Sequence, residues 1–125
     1  MTGVTLDAGA LIALDRNVRA AVALLARAHE RGARVTVPAT ALAQAMRNPA
    51  RQAVLSRLVR QPTTDVAVLD RAGATAVGAL LAATNTRDIA DAHVVLCAAR
   101  ARQAIVTTEA GELRRLAPRA AIVAL

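Results

Sequence analysis

The sequence contains no phenylalanine, tyrosine, tryptophan or lysine, and only one serine and one cysteine. Without aromatic rings, the protein lacks the usual stacking platform for single-stranded RNA, and its core must be built from aliphatic residues. Without lysine, a P-loop phosphate site and Schiff-base chemistry are both excluded. The single serine, Ser56, lies in an arginine-rich helical stretch, which argues against a serine hydrolase.

Cysteine content and the lack of long apolar runs predict a cytoplasmic location. Cys97 is the only cysteine and has no internal disulfide partner, as is usual in a reducing compartment. No basic segment followed by an apolar stretch marks the N-terminus. The longest uncharged run, residues 72–86, is too short and too rich in glycine and threonine to cross a membrane.

The composition indicates one domain with a strongly basic charge. The chain has 125 residues, of which 55% are apolar, and its mean hydropathy is +0.38. Sixteen arginines face nine acidic residues, which gives a net charge of +7. Planar guanidinium groups suit phosphate binding. A GC-rich genome that replaces lysine by arginine codons explains the same surplus, and composition leaves both explanations open.

Short runs rich in valine, isoleucine and threonine alternate with helical patterns. The predicted strands are residues 4–6, 34–37, 64–69, 104–107 and 121–125. The predicted helices are residues 11–14, a helix capped by Asp15 and ending at Gly32, and residues 40–47, 50–60, 70–83, 88–102 and 109–116. This alternation predicts an α/β fold with a central, mostly parallel β-sheet flanked by helices.

Four acidic residues are placed where this fold would bring them together. Asp7 ends the first strand, and Glu109 follows the strand at 104–107. Asp88 and Asp91 share one face of the first turn of the helix that leads into that strand. Because helices of a parallel sheet begin at the carboxyl edge of the strands, we expect these side chains to meet there. Clustered carboxylates repel one another unless a cation lies between them, and their oxygens suit Mg²⁺ or Mn²⁺.

Each acid taken singly also fits a purely structural role. Asp7 is placed to cap a helix, Asp88 and Asp91 form a capping-box-like pair, and Glu109 with Glu112 favours a helix N-terminus. The helix from Asp88 is otherwise apolar on nearly every side, where an unpaired carboxylate is costly. The acids together therefore favour a metal site.

The spacing of His93 and Cys97, four residues apart, suggests a soft-metal pair. A histidine beside a packed helix face and a cysteine in the core is the favoured interpretation of this pair.

The segments LDAGALIAL, VPATALAQAMR, DIADAHVVLCA and IVTTEAGELRRLA resemble the PIN-domain ribonucleases of the VapC toxin group. The resemblance extends over residues 4–123 and is weaker between residues 61 and 84. It implies that residues 1–125 form one PIN-like domain with Mg²⁺- or Mn²⁺-dependent endoribonuclease activity. It also implies a homodimer and a small antitoxin protein whose tail covers the site.

Carried over by position, the resemblance assigns Asp7 and Asp91 to two family acids that bind the metal and act in catalysis. Asp88 matches a frequent accessory acid, and Glu109 stands where the family usually has aspartate. Gln44 occupies the place of a usual glutamate, which adds a carbonyl ligand without a charge.

Three further positions match residues that would hold a metal-bound water. Thr107 and Thr108 correspond to small hydroxyl residues, and Glu112 takes an acidic position. RNA cleavage would leave 5′-phosphate and 3′-hydroxyl ends.

Three arginines flank the expected site, and we expect them to bind RNA phosphates: Arg47, Arg51 and Arg87. The alternative is a PIN-like module of weakened or absent activity that binds RNA or an antitoxin, which Gln44 and Glu109 favour.

Overall fold

A computed structural model describes residues 3–125, so that residues 1 and 2 of the predicted domain lie outside the described part. The strands are β1 Gly3–Leu6, β2 Arg34–Pro38, β3 Thr64–Ala67, β4 Ala104–Thr107 and β5 Ile122–Ala124. The helices are α1 Ala8–Asp15, α2 Arg19–Glu30, α3 Ala39–Ala45, α4 Ala53–Leu58, α5 Arg71–Thr84, α6 Ile89–Ala101 and α7 Ala110–Leu116, with a 3₁₀ turn at Pro49–Arg51.

The five strands form one sheet in the order β3-β2-β1-β4-β5, and every neighbouring pair is parallel. Strands β1 and β4 are buried along their whole length, which requires packing on both faces of the sheet. The predicted α/β fold with a central parallel sheet flanked by helices is therefore confirmed. None of the helices within residues 3–125 is long and apolar enough to cross a membrane.

The order of the strands creates a crevice at one point of the sheet. The chain moves outward from β1 through β2 to β3, and then returns to the other side of β1 to build β4 and β5. Connections from β1 and β4 thus leave the sheet in opposite directions. Open α/β sheets bind ligands beyond the carboxyl ends of the strands at this reversal.

Two small features hold β1 close to its neighbours. Gly3 has no side chain, and a Cβ there would collide with the carbonyl oxygen of Arg34 on β2. The buried Thr5 hydroxyl donates to Oε1 of Gln103 at 2.8 Å, just before β4. These contacts hold the amino end of β1 against β2 and β4, at the edge of the sheet opposite the crevice.

The prediction that Asp15 caps the helix that ends at Gly32 was wrong. Asp15 is the last residue of α1, and α2 begins after Val18 without a side-chain cap. Asn17 adopts a left-handed conformation with φ of 59° just after α1, which ends at Asp15, one residue beyond the predicted end at Leu14.

The single helix predicted over residues 50–60 is also wrong. Pro49 opens a separate 3₁₀ turn, and Gln52, with φ of −113° and ψ of 58°, interrupts the helical path before α4. The Gln52 side chain compensates for this interruption. Its Oε1 accepts hydrogen bonds from the amides of Arg47 at 2.6 Å and Asn48 at 2.8 Å. Its Nε2 donates to the carbonyl of Ala45 at 3.0 Å.

We expect Gln52→Ala to lower the free energy of unfolding by about 2 kcal/mol, because it removes three hydrogen bonds between the side chain and the backbone, of which the one to the Ala45 carbonyl is partly buried. Urea denaturation measures this loss. Gln61→Ala, at an exposed glutamine, is the matched control and should change stability little. Equal stability of the two variants would show that Gln52 does not hold this segment together.

Candidate active site

A cavity of about 600 Å³ lies where α1, α6 and α7 begin, next to the ends of β1 and β4. Five acidic residues line it: Asp7, Asp88, Asp91, Glu109 and Glu112. The whole chain has nine acidic residues and a net charge of +7. More than half of the acidic residues therefore share one cavity in an otherwise basic protein.

Asp7 is the most buried of the five, with a relative exposure of 2%. Its amide donates to the Val106 carbonyl at 3.2 Å, which extends the pairing of β1 with β4. Its Oδ1 caps α1 by accepting from the Ala10 amide at 2.8 Å. The cap explains the position of Asp7, but it uses only one of the two carboxylate oxygens.

Burial is the main cause that raises the pKa of Asp7. Hydrogen bonds from the Thr107 hydroxyl and the Ala10 amide lower this pKa, and the carboxylates of Glu109 and Asp88 raise it again. Three separate segments of the chain thus act electrostatically on one side chain. This coupling is what the sequence predicts for acids gathered at one sheet edge.

Asp88 and Asp91 divide two roles between them at the start of α6. Asp88 caps the helix, since its Oδ1 accepts from the Asp91 amide at 2.9 Å. The Asp91 carboxylate is half-buried, and no hydrogen bond to it lowers its pKa. The capping interpretation therefore accounts for Asp88 and leaves Asp91 unexplained.

The pKa of Asp91 is raised to about 6. Burial contributes most, followed by repulsion from Asp88, Asp7, Glu112 and Glu109 in that order. An acid surrounded by four others and without a hydrogen-bond donor is stabilised by a cation.

The corner between β4 and α7 carries the remaining predicted residues. Thr107 is fully buried, and its Oγ1 accepts from the Glu109 amide at 2.8 Å. Glu109 precedes α7 without capping it, so its carboxylate is not used by the helix. Thr108 and Glu112 line the cavity. Thr107 does not line the cavity. It lies behind the lining, where its hydroxyl interacts with Asp7 and Glu109.

Gly9 is a site residue that the sequence analysis missed. It lines the cavity on α1, and a Cβ at this position would collide with the Thr108 hydroxyl. The lack of a side chain lets the β4–α7 corner approach α1. A glycine inside an otherwise good helical segment was the available signal.

Gln44 lies exposed near the end of α3 and lines the same cavity. Its amide supplies a neutral oxygen at a point where a carboxylate would add a sixth negative charge.

The three arginines predicted to bind RNA lie outside the lining of this cavity. Arg47 folds back on α3, and its Nη1 donates to the carbonyls of Ala43 at 2.8 Å and Met46 at 2.9 Å. Arg51 and Arg87 are exposed. In the part of the chain that the structure describes, Arg16 is the one basic residue that lines the cavity. No motif of the sequence singles it out.

The donor chemistry of the cavity fits a hard divalent cation. Carboxylates, the Gln44 amide and the Thr108 hydroxyl offer oxygen atoms only. Among residues 3–125, no three histidine, cysteine, aspartate or glutamate side chains form a ready-made metal cluster. Mg²⁺ commonly takes one or two carboxylates and completes its coordination with water. The residues present therefore fit Mg²⁺ or Mn²⁺ with a largely hydrated coordination sphere.

His93 and Cys97 belong to a different part of the molecule. His93 is 3% exposed, and its Nδ1 lies 2.7 Å from the Thr40 hydroxyl. Burial lowers the pKa of His93, and hydrogen bonding to the Val68 backbone opposes this shift. The interpretation of His93 as a packed histidine agrees with these contacts.

The chain matches no protein-family model, and it shows no significant similarity to a curated protein. The resemblance to PIN domains consequently depends on the four sequence segments alone.

Proposed function

We propose that this protein is a Mg²⁺- or Mn²⁺-dependent endoribonuclease. The observation that carries the proposal is the gathering of five acidic residues in one cavity at the reversal point of a parallel sheet. Helix capping uses one carboxylate oxygen of Asp7 and one of Asp88. It gives no role to the Asp91 carboxylate. Phosphodiester chemistry is the activity that a cluster of oxygen ligands on a basic protein suits best.

The residues would divide the work according to their positions. Asp7, Asp91 and Glu109, assisted by Asp88, would hold the cation, which when bound supplies a Lewis acid for the scissile phosphate and an activated water. Thr108 and Glu112 line the cavity and would orient the attacking water through hydrogen bonds.

Thr107 would keep Asp7 and Glu109 in position, because its hydroxyl is hydrogen-bonded to both residues. The arginine surplus outside the cavity would attract the RNA chain, with Arg47, Arg51 and Arg87 as exposed candidates.

The resemblance extends this proposal to the biological context. The protein would be a cytoplasmic VapC-like toxin, a homodimer held inactive by a small antitoxin. An adjacent reading frame that encodes a DNA-binding fold with an amphipathic tail would support the pairing, and light scattering tests the dimer.

Asp7→Asn tests the activity directly. With structured RNA and Mg²⁺ or Mn²⁺, we expect the wild-type protein to cleave, EDTA to stop cleavage, and Asp7→Asn to lower the rate by about 10³-fold or more, since a cation ligand is lost. Asparagine is itself a good N-cap, so α1 should remain intact.

Asp70→Asn is the matched control. Asp70 caps α5 by accepting from the Gly73 amide at 2.8 Å, as Asp7 caps α1, and it lies outside the acidic cavity. This variant should cleave like the wild type. Cleavage that persists in EDTA, or that Asp7→Asn leaves intact, would refute the proposed mechanism.

A second candidate function is RNA or antitoxin binding without catalysis. Gln44 favours it, and among residues 3–125 no three histidine, cysteine, aspartate or glutamate side chains are arranged to hold a metal ion. Calorimetric titration decides between the two, because a module without catalysis should not bind Mn²⁺ at millimolar concentration.

A further inference from the structure

One wall of the acidic cavity is formed by helix α1, which places an arginine opposite the carboxylates. Gly9, Ile12, Ala13 and Arg16 all line the cavity, at the spacing of one helical face. Asp7 caps the first turn of this helix, and Arg16 follows its last residue. About two and a half helical turns, roughly 13 Å along the axis, therefore separate the backbone of Arg16 from that of Asp7.

Within residues 3–125, Arg16 forms no ion pair that would occupy its charge. The one ion pair within residues 3–125 joins Arg34 and Asp65, far from this cavity. Arg16 is exposed, although five acidic residues line the same cavity. A guanidinium group that lines the cavity but pairs with none of its carboxylates is available to an anionic ligand.

The surface between Arg16 and the acids is apolar. Ile12 and Ala13 lie along it, and Val18, which is 43% exposed, lines the cavity beyond Arg16. A ligand that reached from a cation held by the carboxylates to Arg16 would carry a negative charge at each end and a less polar part between them. A ribonucleotide unit between two phosphates has this pattern.

We infer that Arg16 binds the phosphate next to the scissile phosphate, so that the substrate is an RNA chain with a charged linkage beside the cleaved one. This inference depends on the proposed ribonuclease function. It assigns to Arg16 a binding role and leaves the chemical step to the acidic residues. Because about two and a half helical turns separate the backbones of Asp7 and Arg16, a phosphate held near the acids would leave the next phosphate of the chain as the one that faces Arg16.

Kinetics with Arg16→Gln test the inference. We expect kcat/KM to fall about tenfold, mostly through a higher KM, because one charge-assisted contact is lost. Arg16→Lys should retain part of the activity, since lysine keeps the charge without the planar fork. Arg19→Gln removes the same charge from an exposed residue outside the cavity, and it should act like the wild type.

A substrate change makes the test specific. RNA in which one linkage beside the cleavage point is a neutral methylphosphonate should be cut about tenfold less efficiently by the wild type. Arg16→Gln should lose nothing more on this substrate, because the partner of the arginine is already absent. A further loss of similar size in Arg16→Gln would overturn the assignment.

Binding in EDTA separates this inference from the proposed function. The logarithm of affinity for RNA should depend less steeply on the logarithm of salt concentration in Arg16→Gln than in Arg19→Gln, by about one unit of slope. If the wild type cleaves no RNA with either cation, the proposed function fails, and this comparison still decides the phosphate contact. Equal slopes and equal affinities of the two variants would refute the role of Arg16.

Discussion

Asp91→Asn is expected to stabilise the cation-free protein while it removes RNA cleavage. The half-buried Asp91 carboxylate is repelled by four other acids, which raises its pKa to about 6. Asparagine keeps the shape of the side chain and removes the charge. After allowance for solvent screening, we expect a gain of about 1–2 kcal/mol at pH 7, or about 5 °C in Tm. Cleavage should fall by about 10³-fold or more, because a proposed cation ligand is lost.

The pH dependence of stability has a defined sign. The folded protein binds a proton at Asp91 more tightly than the unfolded chain does, in the window between 3.8 and about 6. The cation-free wild type should therefore become more stable as the pH falls from 7 through this window, and Asp91→Asn should show a weaker gain. Burial shifts Asp7 in the same direction, so that part of the gain remains in the variant. Thermal unfolding in EDTA at pH 7 and pH 5 measures both effects.

Asp65→Asn is the control, because the pKa of Asp65 is shifted in the opposite direction to that of Asp91. Hydrogen bonding to Arg34 lowers the pKa of Asp65, so its charged form is favoured in the folded state. This variant should not gain stability at pH 7, and added Mn²⁺ should raise its Tm as in the wild type. Lower stability of Asp91→Asn than of the wild type in EDTA would show that a group within the protein already stabilises the Asp91 carboxylate. The carboxylate would then not need a cation.

The fold was predictable because its signals are local and repeated. Each of the five strands overlaps a predicted run of β-branched residues, and α5 and α6 begin directly after Asp70 and Asp88, where the predicted helices start. The two errors arose where tertiary contacts override local signals. Asp15 precedes an amphipathic stretch as a cap would, but the left-handed turn at Asn17 separates it from α2.

The segment around Gln52 shows the second limit of the sequence. Residues that favour helices surround Gln52. The helical path is interrupted there because its side chain is hydrogen-bonded to the backbone of residues 45, 47 and 48. Such contacts in the segment between α3 and α4 depend on the folded geometry. They produce no periodic pattern in the sequence from which they could be predicted.

The acids of the candidate site were predictable for a topological reason. In a parallel sheet the residues that follow each strand share one edge, so positions 7 and 109 had to approach each other once β1 and β4 were neighbours. Arg16 and Gly9 were not predictable, since their roles depend on which face α1 turns to the cavity. Arg47, Arg51 and Arg87 are close to site residues along the sequence, and closeness along the sequence is a weaker guide than helix orientation.

Gln44→Glu is expected to raise the affinity for Mn²⁺ by about tenfold. Gln44 lines the cavity with its neutral amide, and a carboxylate there would add a negative charge beside five others. One further charge near the cation is worth about 1–2 kcal/mol at the effective dielectric constant of a half-open site. Without a cation the same charge adds repulsion, so the variant should be less stable than the wild type in EDTA and more strongly stabilised by Mn²⁺.

Calorimetric titration and thermal unfolding with Mn²⁺ measure the two sides of this effect. Gln61→Glu adds an equal charge at an exposed position outside the acidic cavity and serves as the matched control. If the protein is a weakened nuclease, Gln44→Glu should also cleave RNA faster at low Mn²⁺ concentration, since more of the protein carries the cation. If Gln44→Glu binds Mn²⁺ no more tightly than Gln61→Glu does, the side chain at position 44 does not face the cation, and the acids of β1, α6 and α7 hold it without help from α3.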